Sequence, residues 1–272
     1  MDRNRIKKLA GDPRFISGIH NYCDRWCERC PLTHRCLNYL LSEEEFADPE
    51  TRDLENEKFW EKLGEVLSDT VEMLHEMAEE AGIDLDAVDA TESLKERKNR
   101  RKIAENRPAV RSARAYGKMV NQWFDMANIL LKEKETELLE KARLELPNTD
   151  PAGEAADITD ATEIIRWYQY QIYVKLMRAF QGKEDEAEDP EFWKEFPKDS
   201  DGSAKVSLIG IDRSIAAWDR LRGHFPEQES ELLNILRHLD RLRKKVEKEF
   251  PEARSFIRPG LDNPEEYGEG EA

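Results

Sequence analysis

No cysteine lies outside residues 23 to 36 of this 272-residue chain. No apolar run approaches the ~20 residues that a bilayer span needs. No basic segment followed by an apolar one opens the chain, which begins Met1-Asp2-Arg3-Asn4-Arg5, so a secretory leader is not expected. Positive charge is in deficit. The 43 Lys and Arg against 59 Asp and Glu leave a net charge of −16, which argues against general nucleic-acid binding because phosphate is repelled on average. Strand-like alternation of useful length, a repeat period and a clear catalytic constellation are all missing. These absences predict a soluble, cytoplasmic protein without a membrane segment, in a compartment where thiols stay reduced and clustered cysteines mean metal more often than disulfides.

What is present is helical patterning. Charged residues make up 38% and hydrophobic ones 39%, which suits amphipathic helices with solvated outer faces. The spacing predicts an all-α fold: a helical bundle of about five long helices preceded by an N-terminal helical four-cysteine metal module. Residues 1–55 are read as that module with an acidic connector, 56–258 as the bundle and 259–272 as a disordered acidic tail. The stripe Trp60, Leu63, Leu67, Thr70, Leu74 and Met77 predicts one long helix, and Tyr116, Val120, Trp123 and Ala127 mark a second. A third, about 159–180, is apolar nearly all round and should be central. Ser203 is expected to cap a helix over 204–224, and Leu232, Ile235, Leu239, Leu242 and Val246 stripe the last one. Phe192, Trp193 and Phe196 should anchor an acidic insertion over 181–203.

Cys23, Cys27, Cys30 and Cys36 follow the spacing C-x3-C-x2-C-x5-C. Phe15, Ile19, Tyr22 and Trp26 recur at four, three and four, which predicts a helix with Cys23, Cys27 and Cys30 on the adjoining face. Pro31 should open a second helix carrying Cys36. Four local thiolates suit an iron–sulfur cluster of the 4Fe-4S type. Structural zinc is the other candidate, although it more often uses two separated C-x2-C knuckles. Reduced core cysteines without metal are the third reading. His20 and His34 flank the site and are read as surface or supporting residues.

The segment Cys27-Glu28-Arg29-Cys30-Pro31-Leu32-Thr33-His34-Arg35-Cys36-Leu37-Asn38-Tyr39-Leu40 resembles the C-x2-C-P-x4-C-L-x-Y segment of WhiB-type iron–sulfur regulators. It is also similar to the cluster arrangement of iron–sulfur nucleases of the AddB type. The resemblance covers about fourteen residues and implies ligand chemistry alone, since those families place their remaining cysteine far away and Cys23 lies four residues before Cys27. The opening C-x3-C-x2-C also looks like the radical-SAM signature, but Cys36 is at hand to close the cluster and no α/β barrel is visible.

Four further features compete with blander readings. Glu72 and His75 form a single Glu-x-x-His element, whereas a di-iron bundle site needs two. Asp212 shares a helix face with Leu208, Ile211, Ile215 and Trp218, so it must be paired if buried. Either it meets an arginine such as Arg166, or it lines a polar core pocket with Tyr168 and Gln171. Residues 95–118 hold ten basic and two acidic side chains, read first as a solvated helix balanced by acidic neighbours and second as a contact for RNA, DNA or an acidic protein face. Asp199-Ser200-Asp201-Gly202 lacks the remaining ligands of a calcium loop.

The functional expectation is a metal-binding helical protein whose four-cysteine site is structural or redox-sensing and whose body serves binding or assembly with a protein partner. One rival is an oxidoreductase of di-iron type with the cluster as electron relay. The other is a nucleic-acid-binding regulator using residues 95–118.

Overall fold

The computed structural model describes residues 3–85, 91–145, 147–194 and 196–263. Among the described residues every regular element is helical: α1 (Arg3–Ala10), α2 (Leu37–Glu45), α3 (Glu57–Glu80), α4 (Thr91–Asn106), α5 (Pro108–Leu144), α6 (Pro151–Glu188), α7 (Pro190–Trp193), α8 (Asp199–His224) and α9 (Glu229–Glu249), with short 3₁₀ turns between some of them. The all-α expectation holds. No helix among the described residues is long and apolar enough to cross a membrane. The chain divides into two compact units, the described residues up to Glu96 with those from Ile257, and residues Arg97–Phe256.

The larger unit is built on α5, α6, α8 and α9, each packed against two of the others in cyclic order. Local chemistry sets the helix starts. Arg107 is extended and Pro108 occupies the first turn of α5, where its missing N–H costs nothing. The Asp150 carboxylate accepts the Gly153 N–H at 2.9 Å and caps α6, satisfying one of the donors a helix start leaves free. The α9 stripe Leu232, Ile235, Leu239, Leu242 and Val246 is buried as its spacing predicts. Trp123, Trp218 and Phe225 form the aromatic centre, with Trp123 edge-on to Trp218 at 5.0 Å. Gly210 permits the close approach of α8 to α6, because a Cβ there would lie 2.8 Å from a ring carbon of Tyr168.

Three expectations for this unit need correction. The helix expected from 204 starts at Asp199, and Ser203 is wholly buried inside it rather than capping it. Its true first turn is tied down from α6: Glu186 accepts the Ser200 N–H and hydroxyl at 3.0 and 2.7 Å. α6 runs on through the supposed insertion to Glu188. Beyond it Phe192 and Phe196 are about half exposed and stack with Trp193 and each other, so these two phenylalanines are not anchors, while Trp193 is half-buried.

In the smaller unit, the predicted α3 exists, but its stripe is not a core. Trp60, Leu67, Val71, Leu74 and Met77 are all more than half exposed. The less exposed side of α3 carries Phe59, Leu63, Val66, Thr70 and Met73, which shares only Leu63 and Thr70 with the expected stripe. The cysteine-bearing stretch up to Cys36 is not α-helical, and the second expected helix begins at Leu37 and not at Pro31, for reasons that belong to the site itself.

Candidate metal centre

The chain from Phe15 to Cys36 is a series of tight turns, with 3₁₀ segments at Ile19–Asn21, Cys27–Arg29 and Thr33–Arg35. Three local features prevent the α-helix that the apolar spacing suggests. Gly18 has φ +72° and Arg25 has φ +58°, left-handed conformations that no α-helix accommodates. Asp24 Oδ1 accepts the Trp26 N–H at 3.2 Å, so a side chain takes a donor that a helix would need. The left-handed Arg25 turns the backbone between Cys23 and Cys27. The next turn closes with Cys30 N–H donating to Cys27 C=O at 3.1 Å. A third turn, closed by Cys36 N–H on Thr33 C=O at 3.1 Å, delivers Cys36 to the N-cap of α2.

The apolar residues of this stretch do face inward, but in turns: Ile16, Ile19, Tyr22 and Trp26 are buried. Arg35 is buried as well. Its Nε donates to Arg14 C=O at 3.3 Å, and its own C=O accepts the Ile16 N–H at 3.0 Å. This stitch brings the start of the module against its third turn. Arg29 stacks over the Trp26 ring at 4.1 Å and covers it from solvent.

All four cysteines are unbridged and half-buried, and all four line one cavity of about 30 Å³ together with Ile19, Tyr39 and Leu261. Burial pushes the Cys27 thiol up from its ordinary range, and the neighbouring Cys23, Cys36 and Cys30, with Glu28, push it further the same way. The sulfurs do not meet at a single point: among the described residues, no group of three or more His, Cys, Asp or Glu side chains is arranged to hold a metal ion. Cys23 instead donates its S–H to the His20 carbonyl at 3.5 Å. His34 is exposed.

As a donor set the residues fit a thiophilic centre. An unpaired Cys27 thiolate is disfavoured by burial and by its neighbours, and a bound cation would offset both effects. Cys36 at the start of α2 adds the positive end of a helix to the same side.

Sequence reasoning missed the C-terminal contribution. Residues 259–263, assigned from sequence to the tail, form a turn held by the Arg258–Asp262 ion pair at 2.7 Å and by the Gly260 N–H on Asn263 Oδ1 at 3.0 Å. Gly260 packs on Ile16, and Leu261 lines the cysteine cavity. The rest of the expected tail lies outside the described residues.

The other candidates separate. Asp212 is only partly buried and pairs with Arg254 at 2.6 Å and with Arg243 at 3.5 Å. The ion-pair reading is therefore right in kind, but Arg166 is not the partner. Arg166 donates to Asn121 and Gln169 and stacks on Phe124 at 4.0 Å. Tyr168 is buried and its hydroxyl accepts from Arg213, while Gln171 is half-buried. The buried amide of α6 is Gln169, whose Nε2 donates to Gly117 C=O at 2.9 Å and to Asn121 Oδ1 at 2.6 Å. Glu72 and His75 are both exposed on α3. Asp199 holds Arg178 in a two-point ion pair and serves the start of α8. Within the basic segment, Arg100 pairs with Asp185 and Glu188, and Arg107 with Glu184, so acidic neighbours balance part of its charge. The chain matches no protein family, no curated protein and no solved structure.

Proposed function

We propose that Cys23, Cys27, Cys30 and Cys36 hold a metal centre, an iron–sulfur cluster in preference to zinc, in a structural or redox-sensing role, while the helical body serves binding or assembly. The observation that carries this reading is that every thiol of the chain opens on one cavity, delivered by three successive turns. The cluster is favoured over zinc because the ligands are local, without two separated knuckles. When bound, the centre supplies a cross-link among residues 23–36 and, as a cluster, a one-electron couple. The protein's own part is to gather four thiols, limit water through Ile19, Trp26, Tyr39 and Leu261, and place Cys36 at a helix N-terminus.

A module of turns with so few buried side chains depends on such a cross-link for its stability. Hydrogen exchange on the metal-loaded protein tests this. Chelation, or Cys30→Ser, is expected to remove protection across residues 15–41 and leave α5, α6, α8 and α9 unchanged. Equal protection of residues 15–41 with and without metal would overturn the reading.

A further inference from the structure

A basic segment lies around the start of the larger unit. Ten basic against two acidic residues over 95–118 give it a net charge of +8 in a chain of −16. Part of that charge borders a cleft of about 660 Å³ between α4 and α6. Arg97, Arg100, Arg101 and Arg178 line it, over a floor of Tyr173, Val174 and Met177. The volume lies in the range of small-ligand sites.

The guanidinium groups are not equally committed. Arg178 is closed off by its ion pair with Asp199. Arg100 spends Nη1 on Asp185 and Glu188 at 3.1 and 2.7 Å, which fixes it in place with its other two nitrogens uncommitted. Arg101 uses Nε on Glu105 at 3.2 Å and keeps both terminal nitrogens. Arg97 is exposed and has no ion-pair partner among the described residues. Planar forks of this kind match phosphate oxygens two at a time. Asp185 is the one acid in the lining, and Arg100 already neutralises it.

The floor has different chemistry. Tyr173 is held in place by Arg114, which donates to its hydroxyl at 2.7 Å and stacks over its ring at 5.0 Å. Val174 is more than half exposed beside it. An aromatic face next to aliphatic surface suits a flat, partly apolar group.

We propose that the α4–α6 cleft binds a nucleotide carrying two or more phosphates, with Arg97, Arg100 and Arg101 on the phosphates and Tyr173, Val174 and Met177 under the base. Titration calorimetry of the full chain with ADP, with inorganic pyrophosphate and with a short single-stranded RNA tests the assignment. Saturable ADP binding is expected, weakening as salt is raised and exceeding that of pyrophosphate. The Arg97→Ala, Arg101→Ala double variant changes two exposed side chains and should fold. It should weaken ADP binding about tenfold or more, whereas Lys118→Ala with Arg143→Ala, which removes equal charge elsewhere, should change it less than about twofold. No ADP binding, an unchanged affinity in the double variant, pyrophosphate binding as tightly as ADP, or RNA binding in its absence would each overturn the proposal.

Discussion

Gly260 packs its α-carbon against Ile16, so closely that a Cβ at position 260 would lie 2.6 Å from Ile16 Cδ1. Its φ of +70° is also one that side chains rarely adopt. Gly260→Val therefore combines backbone strain with a clash, a cost of about 1–3 kcal/mol to the local structure. Because Leu261 lines the cysteine cavity, the variant should raise the rate at which a thiol reagent labels the metal-free protein. An unchanged labelling rate would show that the C-terminal turn does not guard the thiols.

Two buried tryptophans of the aromatic centre differ in one respect. Trp218 Nε1 donates to the Tyr116 hydroxyl at 3.0 Å, while Trp123 Nε1 is buried without a hydrogen-bond partner among the described residues. Both changes to Phe lose volume, but only Trp218→Phe loses a made hydrogen bond, and Trp123→Phe relieves an unmade one. Trp218→Phe should be the more destabilising by about 1 kcal/mol or more in chemical denaturation. The reverse order would contradict the hydrogen-bond assignment.

Asp201 is buried near the start of α8 and its carboxyl is pushed up, chiefly by burial, with Glu186 and Glu252 acting in the same sense and Lys198 and Lys183 against it. The folded protein therefore holds this proton to higher pH than the unfolded chain. Stability contributed by the group falls as pH rises from 3.8, the ordinary carboxyl value, through the raised folded value, and the deficit is complete above it. Asp201→Asn is predicted to raise the thermal midpoint at neutral pH, with a smaller gain in acid. A lower midpoint at pH 7 would mean that the carboxylate has a favourable role in the fold.

Asp212 joins α8 to Arg243 of α9 and to Arg254 beyond it, but all three side chains are a third exposed or more. Ion pairs so exposed contribute about 1 kcal/mol or less, and salt screens them. Asp212→Ala should cost no more than that, with the difference shrinking at high salt. A loss of about 3 kcal/mol would restore the buried carboxylate that its helix face suggested.

Where sequence spacing is tied to packing, it reads well. The α9 stripe is buried residue for residue, whereas α6, expected from about 159, begins at Pro151. Around the cysteines, the grouping of the four thiols was legible and their conformation was not. The same apolar spacing that suggests a helix over 15–30 is met by turns, because Gly18, Asp24 and Arg25 impose local geometry that periodicity ignores. On α6 the buried amide is Gln169, two positions from the expected Gln171, and two positions are about 200° around a helix. Gly260 and Leu261 carried no local signal, since their partners lie far away in sequence. The α3 stripe shows the converse: its spacing predicts a helix, but not which side of it is covered.

The most direct test of the metal centre is iron, zinc and acid-labile sulfide quantitation, with the visible spectrum, on protein purified without oxygen and compared with a variant lacking all four cysteines. A brown protein containing iron and sulfide in matched amounts, both lost in the variant, is the predicted result. A colourless protein with no metal above the variant's level would contradict it.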